Sequence, residues 1–113
     1  RHVSRMRKHY KARLQALLDI LSQPELAGLC EAKQAVAGLH FLLAFHTKER
    51  GNLLAETLRE AGLSAPLLSE FYLREAPMEA GRCAVVQYAG LDPDAFAQSM
   101  QQLSTELTPE YAD

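Results

Sequence analysis

The most apolar run of the chain lies at residues 38–45, with the sequence GLHFLLAF. A bilayer-spanning helix needs about 20 apolar residues, so this run is too short to cross a membrane but long enough for one buried strand. We therefore predict that it forms the central strand of a small sheet, covered by the helical and extended segments on either side of it.

The length and composition indicate one ordinary globular domain. The chain has 113 residues, of which 48% are hydrophobic and 23% charged, and this mixture is typical of folded rather than disordered protein. Cys30 and Cys83 lie far apart and form no CxxC pair, which favours reduced thiols over a disulfide. The sequence shows no signal peptide, transit peptide or lipidation motif, so we expect a cytoplasmic protein without membrane contact.

The charge is distributed unevenly although the net charge is only −2. Residues 1–13 hold six of the twelve basic residues, whereas residues 14–113 hold six basic and all fourteen acidic ones. A basic helix of this kind could bind nucleic acid phosphates as part of a free-standing module. A solvated face, or a face turned toward an acidic domain, is the simpler interpretation, because no Gly/aromatic nucleic-acid module accompanies it.

Apolar residues spaced by three and four predict a helix from the start of the chain to about Ser22: Val3, Met6, Tyr10, Leu14, Leu17, Leu18 and Leu21. Pro24 should end this helix, because proline disfavours helical geometry in the residue before it. The chain begins at Arg1 inside the predicted helix and without an initiator Met, so we expect a part of a longer protein. Residues 1–23 then form a basic amphipathic helix that leads into a sheet-and-helix body at 24–113.

The remaining elements follow from turn and cap signals. Residues 24–37 predict irregular structure, with a helical turn within 25–33 and a short edge strand where 34–37 lead into the central strand. Thr47 predicts the N-cap of a helix whose buried side holds Leu53, Leu54, Leu58 and Ala61, and Gly62 should close that helix. Within that helix Gly51 is unfavourable by about 1 kcal/mol relative to alanine.

A second strand at 63–68, a loop at 69–81 and a third strand at 83–89 complete the sheet. The compact strand, helix, strand order allows either a parallel crossover or an antiparallel arrangement. Asp92 and Pro93 predict the start of a last helix, which Thr108 and Pro109 should end. This order predicts a two-layer α+β domain in which a sheet of three to four strands carries its helices on one face.

His40 is the only polar side chain in the central apolar run. A lone histidine there could be a metal or cofactor ligand, but no second ligand lies at a useful spacing. The sequence therefore favours a structural histidine, and His46, which ends the strand, should be exposed.

Three segments, taken together, resemble the C-terminal end of MocR-type regulators of the GntR superfamily. They are residues 1–7 (RHVSRMR) with Tyr10 and Arg13, residues 37–40 (AGLH), and residues 86–91 (VQYAGL). Those regulators join a winged-helix DNA-binding domain to an aminotransferase-like domain of fold type I, which binds pyridoxal phosphate. The resemblance implies that this chain is the small domain of such a protein.

The resemblance also implies what this chain should lack and what should bind to it. We expect pyridoxal phosphate in the full-length protein and none on this fragment, because the Schiff-base lysine belongs to the large domain; Lys8, Lys11, Lys33 and Lys48 lie in no matching context. The implied partners are the large domain of the same chain, DNA through a winged helix, and a second copy in a full-length homodimer. The alternative is the small domain of a genuine aminotransferase, in which no winged helix precedes the large domain.

The family places one ligand-binding residue in this domain, an arginine near the last strand that holds the carboxylate of an amino-acid ligand. A planar guanidinium suits that role because it can donate two parallel hydrogen bonds. Arg82 is the nearest arginine, but the family position falls on Val85, three residues later and on the opposite strand face. Either Arg82 reaches the ligand from the loop, as a substrate-binding residue, or it is a solvent-facing arginine at the start of the strand. We predict no catalytic, cofactor-binding or metal-binding residue.

Overall fold

The computed structural model describes residues 2–33 and 40–111, with side chains from residue 8 onward in those ranges. Within them there are four α-helices, α1 (His2–Leu21), α2 (Pro24–Ala27), α3 (Gly51–Glu60) and α4 (Pro93–Glu106). The strands are β1 (Cys30–Lys33), β2 (His40–Phe45) and β3 (Cys83–Gln87). Two short 3-10 helices, Leu68–Phe71 and Met78–Arg82, lie in the loop that leads into β3.

β2 is the centre of an antiparallel sheet with the strand order β1-β2-β3. This confirms the central strand that the apolar run predicts, although residues 38 and 39 of the run lie outside the described residues. Leu43 pairs with Ala32 of β1 and Ala84 of β3, while Ala44 pairs with neighbours in both strands. Because successive side chains of a strand point to opposite faces, the Leu43 row and the Ala44 row lie on opposite faces of the sheet.

The helices pack on the face of the sheet that carries Leu43. Phe41, Leu43 and Phe45 lie there in a core that also contains Leu17 and Leu21 of α1, Leu54 and Leu58 of α3, and Phe96, Met100 and Leu103 of α4. Burial of each such side chain stabilises the fold by about 1.5–3 kcal/mol. The result is the two-layer α+β domain that the sequence predicts.

The two long helices begin and end close to their predicted positions. α1 ends at Leu21, ahead of Pro24, and its residues Leu17 and Leu21 are buried. At the start of α4 the Asp92 carboxylate accepts a hydrogen bond from the N–H of Ala95 at 3.0 Å. These boundaries are set by local chemistry, because proline and a capping carboxylate act within a few residues of the helix end.

The prediction that Thr47 caps the third helix is wrong. α3 begins at Gly51, whose φ of 62° is the left-handed conformation that glycine adopts without strain. Gly51 was predicted to be unfavourable inside this helix, but it is the first residue of the helix and provides the left-handed conformation needed there. Gly62, with φ of 89°, ends α3 as predicted. Leu54, Leu58 and Ala61 are buried as predicted, but Leu53 is exposed.

The prediction of a strand at residues 63–68 is also wrong. That segment touches β3 through a single bridge between Leu67 and Ala84 and a hydrogen bond from the N–H of Val85 to the carbonyl of Pro66 at 2.8 Å. Pro66 has no N–H with which to continue a ladder. The sheet instead takes an edge strand, β1, from the stretch predicted to be irregular, after a helical turn, α2. Residues 34–37, where the edge strand was expected, lie outside the described residues.

Among the described residues no helix has both the length and the apolar composition needed to cross a membrane.

Candidate functional site

The sheet face opposite the helices carries a row of three side chains, Glu31 of β1, Ala44 of β2 and Cys83 of β3. Ala44 and Cys83 are buried, and Glu79, Arg82 and Glu110 lie beside them on this face. The small side chains of Ala44 and Cys83 leave space above the strands. A cleft therefore lies at this end of the open face.

The cleft has a volume of about 130 Å³. Its floor is apolar and its rim is charged, with both signs present. The lining residues are Lys33, Ala44, Phe45, His46, Glu79, Arg82, Cys83 and Glu110. A small apolar floor with charged groups at the rim suits a small polar molecule better than a large apolar one.

Arg82 is the most enclosed cation of this cleft. Its side chain is only 18% exposed. Nη1 donates a hydrogen bond to Oε1 of Glu110 at 2.6 Å and another to the carbonyl oxygen of Thr47 at 3.4 Å. Arg82 is therefore held in place and is not a solvent-facing arginine at the start of a strand. Its guanidinium already binds a carboxylate, and this carboxylate belongs to the same chain.

Arg82 does not lie on the strand face that its sequence position predicts. It belongs to the 3-10 helix Met78–Arg82, which is outside the regular alternation of β3. Its side chain lines the cleft together with Cys83. Cys83 and Val85 share one face of β3, because they are two residues apart in a strand. The Arg82 side chain and Val85 therefore lie on the same side of the sheet.

Glu110 reaches Arg82 because a short segment after α4, which we call the C-terminal strap (residues 108–110), crosses the end of β2. The N–H of Glu110 donates to the carbonyl of His46 at 2.9 Å, and the N–H of Lys48 donates to the carbonyl of Thr108 at 2.9 Å. Pro109 forms an isolated bridge with Thr47, which is fully buried. The strap thus pairs with the backbone that continues β2.

The side chain of Glu49 also holds the strap, through two hydrogen bonds from Thr108. One carboxylate oxygen accepts the N–H of Thr108 at 2.9 Å and the other accepts its hydroxyl, also at 2.9 Å. Burial alone would raise the pKa of Glu49, but the hydrogen bonds from Thr108, together with the charge of Lys48, outweigh it and lower the pKa. The ionised carboxylate is therefore the form that binds the strap.

The carboxyl group of Glu110 has a lowered pKa as well. The cause is first the hydrogen bond from Arg82 and then the charge of the same guanidinium. The opposite shift affects the thiol on the cleft floor, since burial raises the pKa of Cys83 in spite of the nearby Lys33 and Arg82. Cys83 is therefore a neutral thiol at neutral pH and contributes no negative charge to the cleft.

The other basic side chains of the cleft rim are less firmly held. Lys33 Nζ lies 3.6 Å from Glu31 Oε1, and His46 Nε2 lies 3.3 Å from the same oxygen. The Lys33 side chain is 54% exposed. Lys33 adds positive charge to the rim, but Arg82 is the group that presents a fixed hydrogen-bonding geometry.

His40 lies at the far end of β2 from the cleft. It is exposed and pairs with Gln87 of β3, so it takes no part in the core. His46 was expected to be exposed, and it is half-buried beside Glu31.

The basic helix α1 is partly structural. Arg13 donates a hydrogen bond from Nη1 to the carbonyl of Leu91 at 2.7 Å, which ties α1 to the turn after β3. Lys8 and Lys11 are exposed. One cation of the basic stretch thus has a role in packing, and the two lysines project into solvent.

Three residues of the site were not predicted from the sequence: Thr47, Glu49 and Glu110. Thr47 was assigned to a helix start, Glu49 lies two residues after it, and Glu110 follows Pro109, where the last helix was predicted to stop. No local pattern marks Glu110, because its partner Arg82 is 28 residues away. A comparison of the sequence with models of known protein families finds no match.

Proposed function

We propose that this chain is the small domain of an aminotransferase-like transcriptional regulator and that Arg82 holds the carboxylate of its amino-acid effector. The observation that carries this proposal is the short contact between Arg82 and a carboxylate in a small cleft. A largely buried guanidinium that is oriented by a backbone carbonyl is already arranged to bind the carboxylate of a ligand.

Exposed apolar side chains in the loop that leads into β3 support a docking role. The loop between the two 3-10 helices and its ends carry Phe71, Tyr72, Leu73 and Met78, and Leu73 is fully exposed. Large apolar side chains clustered in one surface loop are typical of an interaction surface. We assign this loop to contact with the large domain of the same protein, so that ligand binding at Arg82 accompanies closure of the two domains.

Under this proposal the Schiff-base lysine of the pyridoxal phosphate site lies outside this chain. All four lysines, Lys8, Lys11, Lys33 and Lys48, are exposed, whereas a Schiff-base lysine must lie in an enclosed site next to its cofactor. Lys33, the one lysine beside the cleft, lies near Glu31 instead. Under this proposal the cofactor, the DNA-reading winged helix and the homodimer contacts belong to other parts of the protein, and this chain contributes carboxylate binding.

The test is the substitution Arg82→Ala in the full-length protein that contains this chain. Loss of a charge-assisted hydrogen bond should weaken binding of amino-acid ligands by about 1.5–3 kcal/mol. The affinity is measured by calorimetry with a panel of L-amino acids. Arg59→Ala is the matched control, because Arg59 lies on α3, 72% exposed and 3.8 Å from Glu56.

Unchanged affinity in Arg82→Ala would show that the ligand carboxylate is held elsewhere. A second measurement tests the wider proposal independently of Arg82. The absorbance spectrum of the full-length protein should show the internal aldimine of pyridoxal phosphate with a lysine, and a protein without this absorbance is not of the proposed class.

A further inference from the structure

We propose that Glu110 is an internal competitor for the carboxylate site at Arg82, so that a carboxylate ligand binds there by displacing the Glu110 side chain. This inference rests on the proposed function, because it takes Arg82 to be the residue that receives the ligand carboxylate. It adds a regulatory element that lies in the C-terminal strap.

The first step is that the two groups occupy one position. Nη1 of Arg82 lies 2.6 Å from Glu110 Oε1, and both residues line the same cleft. Nη1 has two N–H groups, and these donate to Oε1 of Glu110 and to the carbonyl of Thr47. A carboxylate that forms a short hydrogen bond to this nitrogen while the Thr47 contact is kept therefore takes the place of Oε1. Ligand and Glu110 therefore exclude each other at this contact.

The second step is that Glu110, rather than Arg82, is the group that can leave. The Arg82 side chain is 18% exposed and also donates to the carbonyl of Thr47, whereas the Glu110 side chain is 49% exposed. The exposed partner regains hydration when the contact breaks, but the enclosed guanidinium would lose its partner without full access to water. Displacement therefore moves Glu110 toward solvent and leaves Arg82 in place.

The third step is that the strap keeps Glu110 close to the site in both states. Its backbone is fixed by the hydrogen bond from the N–H of Glu110 to His46 and by the contacts of Thr108 with Lys48 and Glu49. A rotation of the Glu110 side chain is therefore enough to open the site. Because the competitor stays tethered, its effective concentration at Arg82 remains high, and it lowers the affinity for every carboxylate by the same factor.

The experiment uses the 113-residue chain and propionate as the probe, with propionamide as the uncharged control of similar shape. Binding is followed at constant ionic strength by the Arg82 Nε–H signal, which is assigned by its loss in Arg82→Gln, and by the backbone amide signals of the cleft residues Phe45, His46 and Cys83, which remain in every variant. Glu110→Gln should bind propionate about two- to fivefold more tightly than the wild type, the range that a partly exposed ion pair accounts for.

Glu79→Gln is the matched control for net charge. Glu79 lines the same cleft and carries the same charge. If Glu110 acts by occupying the site, Glu79→Gln should change the affinity for propionate much less than Glu110→Gln does. An equal increase in propionate affinity in the two variants would mean that only the electrostatic potential of the cleft determines binding. The competitor role would then be rejected. The backbone amide signals of residues 46–49 and 108–110 report whether either substitution disturbs the strap.

The outcomes separate this inference from the proposed function. If Arg82→Gln abolishes propionate binding but Glu110→Gln binds as the wild type does, Arg82 is a carboxylate site and Glu110 is no competitor. If Arg82→Gln binds propionate as well as the wild type, or if Glu110→Gln shows no binding at all, the carboxylate role of Arg82 fails and the competitor role fails with it.

Discussion

Glu49 offers the strongest test of how the C-terminal strap is held. Its two carboxylate oxygens accept the N–H and the hydroxyl of Thr108, each at 2.9 Å. Hydrogen bonds to a charged group contribute about 1.5–3 kcal/mol when they are buried, but both residues are half-buried and water can replace part of each bond. We therefore expect Glu49→Ala to lower the free energy of unfolding by about 1–2 kcal/mol at pH 7.

Urea unfolding followed by circular dichroism measures this loss. A double-mutant cycle with Thr108→Val isolates the hydroxyl bond, for which we expect a coupling energy of about 0.5–1 kcal/mol. Glu56→Ala is the control for removal of a carboxylate, because the ion pair of Glu56 with Arg59 spans 3.8 Å and both side chains are mostly exposed. Such a pair contributes at most about 0.5 kcal/mol.

The pH dependence gives a second criterion. The pKa of Glu49 is lower in the folded protein than its ordinary value of about 4.3 in an unfolded chain. The ionised carboxylate therefore stabilises the fold above the unfolded pKa, and this contribution is lost as the pH falls through the folded pKa. The difference between wild type and Glu49→Ala should shrink as the pH falls below about 4. A difference that is the same at pH 7 and in strong acid, or one below about 0.5 kcal/mol at pH 7, would refute this account of the strap.

Two further predictions concern backbone conformation and thiol chemistry. Gly51→Ala should destabilise the protein by about 1 kcal/mol through its left-handed backbone alone, since no atom lies within 4 Å of the added methyl group. Gly90→Ala, equally open but without a positive φ, should be neutral or slightly stabilising in the same thermal melt, and equal losses in the two variants would contradict the conformational explanation. Burial raises the pKa of Cys30 to about 12, so iodoacetamide at pH 8 should leave Cys30 unmodified until the protein unfolds. The pKa of Cys83 is also raised, but Cys83 borders the cleft and should be alkylated before Cys30. Mass spectrometry of the peptides distinguishes the two cysteines. Alkylation of Cys30 before Cys83 would contradict the burial assigned to them.

Local patterns in the sequence determined the main layers of this protein. The apolar run predicted β2 as the central strand, and the helical period of α1 predicted the stripe that buries Leu17 and Leu21. Asp92, Pro93 and Gly62 marked helix ends correctly. These features follow from forces that act within a few residues, such as side-chain periodicity, capping and the fixed φ of proline.

The candidate site depends on contacts that only the tertiary structure decided. The sequence drew attention to Arg82 through a family resemblance and left open whether it faced solvent. The fold placed it in a cleft and supplied its partner, Glu110, from 28 residues away. It also brought Thr47, predicted as a helix cap, and Glu49 into contact with the strap. Such pairs leave no local signature, because their positions are set by how the chain packs over the end of β2 rather than by the residues beside them.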